Sequence, residues 1–386
     1  MPSKYDLHAV RKDLPLLSSH TYLNTGTEGL MAEPVLAEYQ SAVARQEREG
    51  HVALEWRHAE CERTRAAVAR LLNAHSDTVA FTRNATDGHN IVLQGLDWQS
   101  GDELLISNQE HPALSHPVSY LQRGIGLTVR VFAIDSDPLK TLQNVRAALN
   151  SKTRLVAFSH VSCESGIRLP AKQITALAHQ YNALSLLDGA QSLGAMPIDV
   201  ADLDCDFFVS NGHKWLCGPK ETGILYVRPD RLDCLTLHAL GAGSFEDFSW
   251  QGEDFTYRLQ PSARRFEFGT RNHAALVGLR VAISHLEDLG LENIYAHMRG
   301  VVVEAHGILS DISGVSVLTP PFEEAAASLL TFRLADRDPS EVSRSLWQQG
   351  IITRPTATPP GVRASAAYFN TVQDSEQLAA ALRSVA

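Results

Sequence analysis

Between about residues 55 and 230 the chain alternates short, unbroken apolar runs with stretches of helical period. That alternation is the signature of a mostly parallel β-sheet flanked by helices, because parallel neighbours need crossover connections and their strands are covered on both faces. The runs fall at 78–81, 104–106, 127–132, 155–158, 184–187, 207–209 and 224–227. Their brevity predicts strands buried on both sides, seven in number. Helical periods at 59–72, 89–96, 112–121 and 170–181 supply connections of crossover length. The stretch 240–264 is rich in Gly, Ser, acidic and aromatic residues and reads as a long surface or interface loop. Beyond residue 270 the pattern changes to helices over 273–289, 291–309 and 339–349, strands near 315–318, 329–334 and 351–354, and a last helix from 374. The expected organisation is an α/β fold with an N-terminal arm (1–20) packing with a small domain, a large domain (21–265), and a smaller C-terminal α+β domain (266–386).

Charge narrows the partners. Lys plus Arg number 34 against 44 Asp plus Glu, a formal charge of −10, which argues against general affinity for nucleic acid or an anionic membrane. The first residues carry charges where a signal peptide would need an apolar core, and no run reaches the length of a membrane span. Cytoplasmic residence is the expectation. The cysteines Cys61, Cys163, Cys205, Cys217 and Cys234 are odd in number, scattered and in no CxxC pair, so reduced thiols suit them better than a disulfide framework or a zinc site.

The densest set of reactive residues is Asp188-Gly189-Ala190-Gln191 after one apolar run, followed by Ser210-Asn211-Gly212-His213-Lys214-Trp215 after the next. An acid at the carboxyl end of a buried strand stands where ligands bind in open α/β sheets. A lysine beside it can form a Schiff base, and an aspartate beneath a pyridine ring would keep that ring protonated as an electron sink. The same spacing also fits a strand-end aspartate satisfied by loop amides and a solvated lysine. Lysine scarcity favours the first reading: only seven occur, none after Lys220, and the five before Lys214 stand in the arm or in turn and helix-end contexts. Two further sets lie near strand ends. Thr82-Arg83-Asn84-Ala85-Thr86-Asp87-Gly88 has the make-up of a phosphate cradle or of a plain helix cap, and Glu110-His111-Pro112 places His111 at the same edge in a catalytic or a structural role.

Taken in order, Tyr22-Leu23-Asn24-Thr25-Gly26, Asn84-Ala85-Thr86, Gly95-Leu96-Asp97-Trp98, Gly101-Asp102-Glu103, Glu110-His111-Pro112, Asp188 to Gln191, Gly212 to Trp215 and Phe266-Glu267-Phe268-Gly269-Thr270 resemble the class V aminotransferase-like family of pyridoxal 5'-phosphate (PLP) enzymes. Within it the resemblance is closest to cyst(e)ine carbon-sulfur lyases. The resemblance implies PLP as cofactor, an amino-acid substrate, and a homodimer with shared active sites. It implies that Lys214 carries the cofactor and moves the alpha proton, that Asp188 pairs with the pyridine nitrogen, that Gln191 contacts the ring hydroxyl, and that His111 stacks on the ring. The Ala85 amide, Thr86, Asn211 and His213 would hold the phosphate, with Thr270 arriving from the second subunit. Arg363 would grip the substrate carboxylate, with Gly26 beside it. Asn211 departs from the Ser or Thr usual in relatives, and Cys163 stands where desulfurases commonly have Asn; it is either a nucleophile or a small thiol filling a gap.

The reaction is read from an absence. A desulfurase needs a cysteine on a mobile loop before the carboxylate arginine, whereas Arg354 to Arg363 contains prolines and no cysteine. Beta-elimination needs no protein sulfur acceptor. The expected activity is therefore elimination from cysteine, cystine or an S-substituted cysteine, giving pyruvate, ammonia and a thiol or persulfide. Transamination, epimerisation and decarboxylation-linked deamination use the same residues and stay open, with desulfuration and cofactor binding without catalysis further behind.

Overall fold

The structure, a computed structural model, describes residues 5–321 and 328–385. Residues 1–4 of the expected arm, Lys4 among them, and residues 322–327 and Ala386 of the expected small domain lie outside the described residues. In chain order the strands are β1 (Thr21–Tyr22), β2 (Val79–Thr82), β3 (Glu103–Ser107), β4 (Thr128–Phe132), β5 (Thr153–Ser159), β6 (Leu184–Asp188), β7 (Phe207–Asn211), β8 (Gly223–Val227), β9 (Phe245–Gln251), β10 (Asp254–Leu259), β11 (Val315–Val317), β12 (Leu329–Leu334), β13 (Ile351–Ile352), β14 (Arg354–Ala357) and β15 (Pro360–Ser365).

The central sheet has seven strands in the order β2-β8-β7-β6-β5-β3-β4. All neighbours run parallel except β8, which is antiparallel to both β2 and β7. Successive residues along each inner strand enter different cores. Leu105, Leu187 and Phe208 join the cluster on one face, and Leu104, Leu186 and Phe207 the cluster on the other. This is why the sequence shows unbroken apolar runs instead of alternation, each such side chain contributing about 1.5–3 kcal/mol on burial. The edge strand β4 departs from the expectation of burial on both faces. It pairs only with β3, and Thr128, Arg130 and Val131 are exposed, the charge at Arg130 suiting an edge that must not recruit another strand.

The second correction concerns 240–264, which holds an antiparallel hairpin, β9 with β10, where a loop is expected. It turns at Gly252, whose φ of +65° favours glycine. Trp250 faces Phe255 and Phe248 faces Tyr257 across the strands, while Asp247, Ser249, Thr256 and Arg258 occupy the alternate positions. The polar residues of that second face hid the period of two.

The helix His273–Leu289 packs on the helices Glu33–Glu49 and Leu54–Leu71, placing Leu279 and Ile283 in the core that holds Val68 and Leu72. A separate four-stranded antiparallel sheet, β11-β12-β15-β14, builds a third core with the helices Leu291–Ser310, Pro339–Gln348 and Val372–Val385. The start of the described chain lies on this part: β1 runs parallel to β13, and Arg11 donates to Asp374 and to the Phe369 carbonyl. The expected proline-stiff loop 354–363 is itself the hairpin β14–β15 of this sheet. Among the described residues no helix is long and apolar enough to cross a membrane.

Candidate active site

The parallel strands deliver their last residues to one edge of the central sheet: Ser159 from β5, Asp188 from β6 and Asn211 from β7. A cavity of about 230 Å³ opens there, with Thr86, His111, Asp188, Gln191, His213 and Lys214 in its wall. Ala85, Asn211, Cys163 and Arg354 also line it. Residues that lie far apart in sequence thus converge as the open-sheet rule requires.

The Lys214 side chain shows no hydrogen bond among the described residues, while its carbonyl accepts from the Cys217 N–H. Burial lowers its pKa against the opposing pull of Asp188, which raises the share of neutral, nucleophilic amine. Lys220, the other lysine considered, is exposed and pairs with Glu28 outside the cavity. Burial would push the Asp188 carboxyl upward, but the His89 hydrogen bond, the Ala190 amide and Lys214 hold it below the ordinary range. The cavity therefore offers an acid held in its ionised form and an amine whose burial favours loss of its proton.

On the side of the helix Ala85–Gly95, Asn84 caps the helix by accepting from the Asp87 amide at 3.0 Å. Here the structure refines the expected phosphate contacts. Asn211 Oδ1 accepts from the Ala85 N–H at 2.8 Å, so that amide and that side-chain oxygen satisfy each other. The Gly88 amide bonds the Asn84 carbonyl. This leaves the Thr86 N–H and hydroxyl, with the positive end of the helix dipole behind them. His213 Nδ1 is buried without a partner, and burial lowers that ring's pKa. An unpaired helix-start amide, an orphaned imidazole nitrogen and an unpartnered lysine form a donor set that fits a phosphorylated pyridine aldehyde such as PLP.

His111 caps the next helix, its Nδ1 accepting from the Ala113 amide at 3.0 Å. Burial, with the charge of Lys214, lowers its pKa to about 4, so the ring is neutral near pH 7. Gln191 lies in the wall but is engaged at both ends, donating to the Gly26 carbonyl at 2.8 Å and accepting from Trp215 Nε1 at 3.0 Å. A Cβ on Gly26 would stand 3.1 Å from Gln191 Oε1 and 3.3 Å from Arg363 Cζ; glycine allows those two side chains to close around it. Arg363 is 1% exposed. It donates to the Cys163 carbonyl at 2.8 Å and to Thr27 Oγ1 at 2.7 Å, while its Nε meets no acceptor. It stands behind the wall formed by Thr27 and Cys163, whereas Arg354, its cross-strand neighbour, lines the cavity itself. Burial pushes the Cys163 thiol up to about 11. Thr270 is exposed and outside this cavity.

Sequence reasoning missed four contributors. His89 bonds Asp188. Glu110, noted only as part of a motif, lies half-buried beside the cavity, bonded to Ser107 and to the amide and hydroxyl of Ser159, with desolvation raising its pKa. Arg354 was visible only as the end of a loop. Glu164 accepts from the Ala357 and Thr358 amides at 2.7 and 3.0 Å and ties down the tip of β14–β15. Proximity of Glu164 to Cys163 is the one signal in sequence that could have pointed to it.

A central sheet with a half-buried lysine and a buried acid at its carboxyl edge, beside a helix start prepared for phosphate, defines a fold-type-I PLP enzyme. The pattern of the aminotransferase class-V family matches residues 31–378, and the chain belongs to that family. A cysteine desulfurase of Synechococcus elongatus is 32% identical over 99% of this chain, which spans only 64% of that relative's length. A probable cysteine desulfurase of Methanothermobacter thermautotrophicus is 32% identical over 98% of this chain and 97% of its own. Among solved structures, the cystine C-S lyase C-DES in complex with its product cysteine persulfide superposes with a TM-score of 0.89 at 28% identity, covering 96% of this chain and 99% of that one. The cysteine desulfurase CsdA of Escherichia coli gives 0.87 at 26%, covering 98% of each.

Proposed function

We propose that the protein cleaves the carbon-sulfur bond of cysteine, cystine or an S-substituted cysteine by beta-elimination. The observation that carries this reading is the hairpin β14–β15: it contains no cysteine, and Glu164 holds its tip through two amides. A sulfur-accepting loop needs both a thiol and freedom to move. When bound, PLP supplies the sink for the electrons released as the alpha proton leaves. Lys214, whose burial favours the neutral amine, takes the proton from the alpha carbon; Asp188 keeps a negative charge at the strand end; Arg363, behind Thr27 and Cys163, orients the alpha carboxylate with the N–H donors those two residues leave free. Thr86 and His213 would hold the phosphate, and neutral His111 would flank the cofactor from the cavity wall. Arg354 has no side-chain partner among the described residues, and its guanidinium in the cavity wall, beside Arg363 behind it, suits a substrate with a second carboxylate, as cystine has.

We further propose a homodimer in which the aromatic face of β9–β10 and Thr270 meet the second subunit, a division into arm 1–20, large domain 21–265 and small domain 266–386, and cytoplasmic residence. Desulfuration is the second reading, favoured by the names of the relatives and by Cys163 in the wall. Supplying cysteine and cystine and quantifying pyruvate and alanine separates the two. Pyruvate is expected, with turnover kept in Cys163→Ala; accumulation of alanine together with loss of activity in Cys163→Ala would establish desulfuration instead.

A further inference from the structure

The helix Ala85–Gly95 presses on the central sheet so closely that a Cβ at Gly88 would meet Val209 Cγ1 at 2.7 Å. Glycine there lets the helix settle, and the next residue, His89, becomes fully buried on an otherwise apolar face with Ala85, Val92 and Leu93. Its Nε2 lies 3.0 Å from Asp188 Oδ2. The second oxygen, Oδ1, accepts from the Ala190 amide at 2.8 Å. An ionised carboxylate only accepts, so the His89 nitrogen facing it carries the proton. The other nitrogen, Nδ1, is buried without a partner. Leaving a polar atom unpaired in a core costs stability, and a histidine whose sole hydrogen bond goes to the site's acid is accounted for by that bond.

We propose that His89 is a positioning residue for Asp188: its Nε2–H locks one carboxylate oxygen in place and keeps the acid aimed at the cavity. The inference rests on the reading of Asp188 as the partner of the pyridine nitrogen. With each oxygen fixed by one donor, the carboxylate cannot rotate, and its remaining lone pairs are held ready for a cation in the cavity.

The test uses three variants. His89→Gln keeps an N–H donor at similar reach, His89→Leu fills the space without one, and Asp188→Asn removes the charge. Each apoprotein is titrated with PLP for affinity, the absorption band of the loaded protein is recorded, and apoprotein melting is followed. His89→Leu is expected to weaken PLP binding roughly tenfold or more, as for loss of a hydrogen bond to a charged group, and to displace the band, with His89→Gln within about threefold of wild type. A His89→Leu protein with normal affinity and band and only a lower melting temperature overturns the inference, since that is the behaviour of a mere staple. If Asp188→Asn also changes neither affinity nor band, the reading of Asp188 fails; if it changes both while His89→Leu changes neither, only the role of His89 fails. Should His89→Leu not fold, the ¹⁵N shifts of histidine-labelled apoprotein decide: a proton on Nε2 is expected, and a neutral ring protonated on Nδ1 refutes the proposal.

Discussion

Replacing Arg363 by Ala separates a structural from a functional contribution, because its donors divide. Nη1 and Nη2 are committed to the Cys163 carbonyl and to Thr27, and Nε is uncommitted. The alanine variant strips a buried carbonyl of its donor, at about 1–3 kcal/mol, so a lower melting temperature is expected. If the guanidinium also holds the substrate carboxylate, the partner left unpaired costs about 2–5 kcal/mol more. At about 1.4 kcal/mol per factor of ten, kcat/KM should fall roughly 30- to 4,000-fold. The assay is pyruvate release against substrate concentration, with melting and the absorbance of the bound cofactor measured on the same preparations. Arg363→Lys restores a charge without the fork, and an intermediate loss is expected. A folded, cofactor-loaded Arg363→Ala protein whose kcat/KM falls less than threefold would show that the carboxylate is held elsewhere, with Arg354 the first candidate.

Lys214→Ala should lose the yellow absorbance of the loaded protein after dialysis, and borohydride reduction followed by peptide mapping should place the cofactor on Lys214; a label on Lys220 overturns the assignment. Phe248→Ser with Trp250→Ser removes exposed apolar surface at the hairpin and is expected to shift sedimentation from dimer toward monomer, whereas an unchanged mass removes that face from the interface. Burial and the charge of Arg168 lower the pKa of His160 to about 3. The unfolded chain takes up this proton below about pH 6.5 and the folded chain does not, so stability should fall with decreasing pH by about 2 kcal/mol between pH 7 and 5. The urea midpoint of His160→Asn should show a shallower acid limb than wild type, and parallel limbs would dismiss the histidine as its source.

The sheet was legible because burial on both faces writes itself as unbroken apolar runs; at β4 the strand was still read in place, and only the expectation of two-sided burial was wrong. The hairpin β9–β10 was missed for a related reason: its aromatic residues have no support from the core of this chain, so composition resembled a loop while the alternation specified strands. Lys214, Asp188 and His111 were legible from their places after strand ends, and the structure brings them into one cavity. The state of individual donors was not. Pairing of Ala85 with Asn211, the double engagement of Gln191 and the position of Arg354 depend on side-chain reach across elements that sequence leaves unplaced. His89 shows the limit best: it meets Asp188 across 99 positions of chain, and its own helix would have tolerated any apolar residue there.

The short strand β1 and the turn after it are the earliest part of the site to be synthesised, and they bond both to the middle of the chain, at Gln191 and His213, and to its last part. Thr21 and Tyr22 pair with Ile351 and Ile352, Asn24 bridges to Ser365, and the Gly26 amide donates to the Ser365 hydroxyl. On the ribosome the central sheet and its lysine can form while this first segment still lacks its late partners in β13 and at Ser365. Closing a loop of more than 300 residues is then the last entropic hurdle of assembly, and until it is crossed the nascent sheet exposes its reactive edge, making the interval after release the period in which the chain is most open to chaperones and to proteases.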